Sequence, residues 1–253
     1  MARIIAVVNQ KGGVGKTTSA INISAWLAHF GQRVLIVDID PQGNASSGLG
    51  IDYKTLDKGL YQVLVDENIR ATEVIKAIRP NFHILPATPD LAGATIDLVA
   101  TDNREFKLAE NLKELEDLYD YIIIDNPPSL GLLTINGLVA AREILIPVQC
   151  EYFALEGLSQ LLNTINLIKE HLKPELKILG AFMTMYDSRN KLSEAVFDEL
   201  YQHFPEKIFR SVIPRSVRIA EAPSHGLPIK DYDADSAGSN AYRRLAQEII
   251  FVK

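Results

Sequence analysis

Residues 3–18 read Arg3-Ile4-Ile5-Ala6-Val7-Val8-Asn9-Gln10-Lys11-Gly12-Gly13-Val14-Gly15-Lys16-Thr17-Thr18: an apolar run, a glycine-rich turn, then a lysine and two threonines. Ile4 to Val8 has the continuous apolar character of a strand covered on both faces. Lys16 to Phe30 has the pattern of a helix, and Gly31 is placed to end it. A strand that turns through glycines directly into a helix aims backbone N–H groups, and the positive end of the helix dipole, at an anion. Gly12, Gly13 and Gly15 let that backbone come close to phosphate. Lys16 then offers a point charge to the β and γ oxygens of a triphosphate, and Thr17 a hydroxyl to Mg²⁺. The spacing departs from the usual G-x-x-x-x-G-K-[ST]: Gln10 stands at the first glycine position, and a second lysine, Lys11, precedes the glycine pair.

Beyond this loop, short β-rich apolar runs alternate with helical patterns, the sign of parallel strands joined by crossover helices. The expected fold is a single α/β P-loop domain over residues 1–253, a mostly parallel twisted sheet with helices on both faces. Strands are expected at Ile4 to Val8, Val34 to Asp38, His83 to Pro86, Tyr121 to Asp125, Ile144 to Val148, Ile178 to Met185 and Ser211 to Ile213. Helices are expected at Lys16 to Phe30, Glu105 to Leu118, Leu155 to His171, Leu192 to His203 and Ser239 to Ile250, with short helices and loops between Gly43 and Asn103. Two of these strands end in carboxylates. Asp38 and Asp40, in Val37-Asp38-Ile39-Asp40-Pro41-Gln42-Gly43, lie two residues apart and can face one side, and Asp125 closes Tyr121-Ile122-Ile123-Ile124-Asp125. Ligands of parallel α/β sheets bind beyond the carboxyl ends of the strands, where the three aspartates and the loop would converge.

Composition bounds the rest. The 253 residues are 47% hydrophobic and 23% charged, ordinary for a folded soluble chain, and the net charge of -6 argues against a surface that is basic throughout. No run approaches the roughly 18 apolar residues of a membrane span, so a cytoplasmic protein is expected. Cys150 is the single cysteine, which allows no internal disulfide and no cysteine-ligated cluster, and it reads as a buried, inert thiol.

Lys11-Gly12-Gly13-Val14-Gly15-Lys16-Thr17-Thr18, Asp38-Ile39-Asp40-Pro41-Gln42-Gly43-Asn44 and Ile124-Asp125-Asn126-Pro127-Pro128-Ser129-Leu130 together resemble the ParA/Soj partition ATPases of the ParA/MinD superfamily. The resemblance continues through Glu151-Tyr152-Phe153-Ala154-Leu155-Glu156-Gly157, Ile213-Pro214-Arg215-Ser216-Val217-Arg218 and Glu221-Ala222-Pro223-Ser224-His225-Gly226, and departs at Asn126, where many relatives carry Cys or Ser. It implies an ATPase using ATP and Mg²⁺, with a deviant Walker A loop of residues 11–18 whose Lys11 reaches ATP in the partner of a nucleotide-sandwich homodimer. A second cation there would stabilise charge on the γ-phosphate during transfer. The same resemblance implies Asp40 as the residue positioning the attacking water, Asp38 and Asp125 as metal-shell carboxylates beside Thr17, and Pro214 against the adenine.

By the same kinship the ATP-bound dimer would bind DNA without sequence preference, release it on hydrolysis, and so segregate or position a chromosome, plasmid or protein cargo on the nucleoid. Lys207, Arg210, Arg215 and Arg218 fall in a stretch with no acidic residue, and Arg189, Lys191 and Lys230 could join them; Arg189, Arg215, Arg218 and Lys230 are the DNA-contact candidates. A ParB/Spo0J-like stimulating partner is implied by kinship alone. The chain opens on its first strand, so no N-terminal helix-turn-helix extension is expected. A MinD-like membrane-associated ATPase is the alternative. It needs an amphipathic C-terminal helix, and Tyr242 to Lys253 has some of that character but follows the fold without a linker, so packing on the core, and no stable membrane association, is expected. His225 reads as a loop histidine, and a single cysteine does not serve an iron–sulfur electron-transfer ATPase.

Overall fold

The computed structural model describes residues 1–150, 154–187, 189, 200–202, 204 and 207–252, the side chains of residues 154–156 excepted. Seven strands form one sheet: β1 (Arg3–Val7), β2 (Val34–Asp38), β3 (Lys76–Arg79), β4 (Phe82–Leu85), β5 (Tyr121–Asp125), β6 (Glu143–Gln149) and β7 (Lys177–Thr184), in the order β3-β4-β2-β5-β1-β6-β7. All neighbouring pairs are parallel except β3 with β4. The chain leaves β1 toward one edge and later crosses from β5 over β1 to β6. The carboxyl end of β1 is therefore the point where winding reverses, the place where open α/β sheets bind ligands.

Alternation along the central strands feeds two cores. Ile4, Ala6, Leu35, Val37, Ile122 and Ile124 enter one, and Ile5, Val7, Val34, Ile36 and Ile123 the other. Each large side chain buried this way contributes about 1.5–3 kcal/mol before chain entropy is set against it. The covering helices are α1 (Lys16–His29), the short α2 (Asn44–Gly48), α3 (Leu60–Val65), α4 (Ala71–Val74) and α5 (Ala94–Asp97), then α6 (Lys107–Leu112), α7 (Leu132–Ala140), α8 (Ala154–His171), α9 (Val217–Glu221), α10 (Ile229–Tyr232) and α11 (Ala237–Phe251). Helix α11 lies along α1: Tyr242, Leu245, Ala246 and Ile249 are buried, and the Tyr242 hydroxyl meets Ser19 Oγ at 3.1 Å. Cys150 is buried with Sγ 3.6 Å from Met183 Sδ, as expected of an inert thiol.

Four expectations need correction. Ser211 to Ile213 is not a strand. The segment runs beside β7, with bonds from Phe209 N to Ala181 O (2.9 Å) and Ile213 N to Met183 O (2.9 Å), but the N–H groups of Arg210 and Ser211 go to the Glu248 carboxylate on α11 (2.8 and 2.9 Å), which interrupts the ladder. The edge strand β3 was not foreseen, because Lys76-Ala77-Ile78-Arg79 carries only two apolar residues. It is formed by the tight turn at Asn81, whose φ of 61° is left-handed, and its cations guard the edge. The helix expected from Glu105 to Leu118 is only α6, continued by a 3₁₀ turn at Lys113–Leu115. Helix α7 was also missed, since Gly137 and the β-branched Thr134, Ile135 and Val139 weaken its helical signal. Of the helix expected from Leu192 to His203, Leu200 to Gln202 are described and helical; the rest, with Lys191 and Glu151 to Phe153, lies outside the described residues.

Gly137 is the residue that lets α7 approach the sheet. A Cβ there would stand 2.0 Å from Asn126 Oδ1, and Asn126 is fully buried with Nδ2 donating to Val7 O (3.3 Å) and Ile124 O (3.1 Å). Gly137→Ala should therefore lower stability by about 1–3 kcal/mol, although alanine is the better helix former by roughly 1 kcal/mol. Denaturant midpoints check this, and Asn126→Ala in the same chain should recover part of the loss.

Candidate functional site

Sheet register brings the first two carboxylates together: Asp38 and Asp125 are cross-strand partners on β2 and β5, and Asp125 also pairs in register with Val7, the last residue of β1. Both are fully buried. Asp38 is well satisfied, its Oδ2 accepting from Ser46 N (2.8 Å) and Ser46 Oγ (2.7 Å) and its Oδ1 from Asp40 N (3.3 Å). Burial nonetheless pushes its pKa up to about 6, against the opposing effect of the Ser46 bonds. Asp125 differs: neither carboxylate oxygen has a hydrogen bond of good geometry among the described residues, although Thr17 lies close by. Burial first, and then the charge of Asp38, hold its pKa well above the usual carboxylate range.

The glycine-rich loop leaves β1 and is clamped from the two strands on one side of it, β6 and β7. Asn9 donates through Nδ2 to Pro147 O on β6 (2.7 Å) and accepts from Lys11 N (3.0 Å), while Thr184 Oγ1 at the end of β7 donates to Val14 O (2.8 Å). Gly13 and Gly15 sit at φ of 76° and 89°, a region closed to most side chains, so the loop needs glycine there. Lys16, the first residue of α1, is only 6% exposed, and its Nζ donates to Lys11 O at 3.2 Å. Burial lowers its pKa, with Asp125 and Asp40 pulling the other way.

Gly12, Gly13, Gly15, Lys16, Thr17 and Thr18 line a cavity of about 590 Å³. Asp40, Gln42, Asn44, Ser47, Met185, Pro223 and Ser224 line it as well. Val14 is buried behind the loop, and Pro214, half-buried and bridged to Tyr186, is not part of the lining. Lys11 borders a second hollow, next to the first, with Gln10, Ser129, Leu130, Gly157 and Gln160. Asp38, Asp40 and Asp125 do not form a three-acid metal cage, and no such cluster exists among the described residues. That suits Mg²⁺, which keeps its waters and takes one or two protein oxygens alongside substrate phosphates. Gln42, Asn44, Ser47 and Met185 are cavity residues that sequence reasoning did not assign. The first three sit in or directly after the aspartate motif, a usable signal, whereas Met185 reaches the site only through the left-handed turn (φ 52°) that ends β7.

The four cations named as DNA candidates fall into two groups. Arg189 is exposed and paired with Asp187 (2.7 Å), and Arg215, also exposed, lies near enough to that carboxylate to help hold its pKa at about 2, behind the larger effect of Arg189. Arg215 has no ion pair among the described residues. Arg218 is bound to Glu221 and Asp233 (both 3.4 Å), and Lys230 to Asp231 (3.2 Å), over the Trp26 ring.

Comparison with known proteins agrees with this architecture. The family described as AAA domain matches residues 2–178. The chain is 53% identical to the sporulation initiation inhibitor protein Soj of Bacillus subtilis, over 98% of each chain. It is 50% identical to the chromosome-partitioning ATPase Soj of Treponema pallidum, over 99% of this chain and 98% of that one. Among solved structures, cobyrinic acid a,c-diamide synthase from Mycobacterium smegmatis with bound ADP and magnesium superposes with a TM-score of 0.87 at 38% identity, covering 99% of this chain and 94% of the other. With its clamped glycine-rich loop, its strand-end aspartates and full-length similarity of this degree, the chain belongs to the ParA/Soj family of chromosome-partitioning ATPases.

Proposed function

We propose that the protein is an ATP- and Mg²⁺-dependent partition ATPase that dimerises around ATP, binds DNA without sequence preference and lets go after hydrolysis. The observation that carries this is the cavity that the phosphate loop shares with Asp40, while the buried Asp125 keeps two unpartnered oxygens beside Lys16 and Thr17. Mg²⁺ would be held by Thr17 and, directly or through water, by Asp125. It would supply Lewis-acid charge neutralisation of the phosphates. Asp38, with both oxygens engaged, serves instead by fixing Ser46 and the start of α2, and so the wall that carries Asp40. Lys16 neutralises phosphate charge in its own subunit. Lys11 borders the neighbouring hollow, a placement that favours service to the partner's nucleotide over its own.

DNA contact is assigned first to Arg215 and Arg189. The ion pair of Arg189 with a carboxylate two residues away is an exposed one and so weak enough to exchange for phosphate. Arg218 and Lys230 are more heavily committed within the chain. Tyr242, Leu245, Ala246 and Ile249 of α11 are buried, which favours this reading over the membrane-associated alternative even with Phe251 exposed, and no described helix is long and apolar enough to cross a membrane. Release by a ParB/Spo0J-like protein is part of the proposal on grounds of kinship.

Three outcomes are expected. Lys11→Gln should abolish the ATP-dependent dimer in sedimentation, whereas Asp40→Ala should dimerise with ATP and hydrolyse poorly; wild-type turnover by Asp40→Ala would remove that residue from its role. Without nucleotide and metal, Asp125→Asn should raise Tm, because an unsatisfied buried carboxylate is removed. A gain of about 1–3 kcal/mol corresponds to roughly 2–12 °C in a chain of this size, and adding ATP with Mg²⁺ should reverse the ranking. Arg215→Ala should weaken binding of the ATP-locked dimer equally on unrelated duplexes and reduce the slope of log affinity against log salt by about 2, one for each copy.

A further inference from the structure

We infer that Gln42 is a catalytic residue of the hydrolysis step, holding the attacking water together with Asp40. This rests on the reading of Asp40 as the water-positioning carboxylate. A water that turns a lone pair toward the γ-phosphorus points both O–H bonds away from it, and in a cleft both need acceptors. Asp40 supplies one. Its Oδ1 already accepts from Gln42 N at 3.0 Å, leaving Oδ2 as the oxygen with capacity for the water.

Gln42 is exposed and lines the same cavity as Asp40 and the phosphate loop. Its backbone is fixed relative to Asp40 by a tight turn. Gly43 N donates to Asp40 O (2.9 Å), Pro41 occupies the second position, and the Tyr53 ring packs so closely on Gly43 that an added Cβ would meet it at 2.5 Å. A glutamine amide accepts a hydrogen bond through Oε1 while donating one through Nε2 to a γ-phosphate oxygen, which a carboxylate cannot do. Asn44 and Ser47 line the cavity too, but sit on α2 beyond the turn and make no bond to the Asp40 carboxylate.

In the step itself the water oxygen bonds to the γ-phosphorus, and the bond from that phosphorus to the β,γ-bridging oxygen breaks. ADP leaves with the electron pair. One water proton remains on the inorganic phosphate, and the other passes through Asp40 to solvent. Gln42 holds the geometry and keeps its own protons.

Single-turnover hydrolysis, with enzyme in excess of ATP, should be compared for wild type, Gln42→Leu and Asp40→Ala, alongside affinity for a fluorescent ATP analogue, sedimentation with ATP, and thermal melting. Gln42→Leu keeps the side-chain bulk and removes only the amide. Its rate should fall on the order of 10- to 100-fold, with ATP-dependent dimerisation and Tm unchanged and nucleotide affinity reduced far less than the rate. A wild-type rate for Gln42→Leu beside an inactive Asp40→Ala overturns the inference and leaves the reading of Asp40 intact. Asp40→Ala at the wild-type rate overturns that reading itself. A defect in Gln42→Leu confined to nucleotide affinity assigns the residue to substrate binding and also overturns the inference.

Discussion

The structure depends on a buried electrostatic cluster. Asp38 and Asp125 stand side by side in the sheet at 0% exposure, and the nearest compensating charge is Lys16, itself 6% exposed at the start of α1. Charges taken out of water cost several kcal/mol each unless paired and hydrogen-bonded. Here Asp38 is repaid in part, by Ser46 and the Asp40 backbone. Asp125 is left with unsatisfied acceptors, a cost that a divalent cation and its waters are suited to relieve.

That penalty is tolerated because the surroundings are rigid. The phosphate loop is tied to β6 through Asn9 and to β7 through Thr184, so its N–H groups are organised before any phosphate arrives. Asn126 is pressed between β1, β5 and the glycine face of α7, which fixes the residue following Asp125. The Asp40 side of the cavity is held less directly, by the Ser46 bonds to Asp38 and by Tyr53 against Gly43.

The surface away from the cavity shows how little a count of cations conveys. Arg189, Arg215, Arg218 and Lys230 look alike in sequence, yet Arg189, Arg218 and Lys230 each form an ion pair with a carboxylate, and Arg215 forms none among the described residues. Net affinity for a phosphate backbone depends on the charge left after such pairing. The same reasoning applies to α11, whose amphipathic pattern is accounted for by its seat on α1.

What the amino-acid order determined by itself is local: the strand, loop and helix of residues 3–29, the strands carrying Asp38 and Asp125, and the phosphate-binding character of Gly12 to Thr18. These follow from hydrophobic period and glycine placement, which act over a few residues. The tertiary structure alone decided matters that depend on residues distant in the chain. Glu248 takes the N–H groups that would have made Ser211 to Ile213 a strand, and Asn126 makes a glycine necessary in the unforeseen α7. Register makes Asp38 and Asp125 neighbours but satisfies only one of them, because Ser46 comes from beyond the next turn. Glu248 meets Arg210 and Ser211, and Asp38 meets Asp125, across separations of many residues, so no short window of sequence contains both members of either contact.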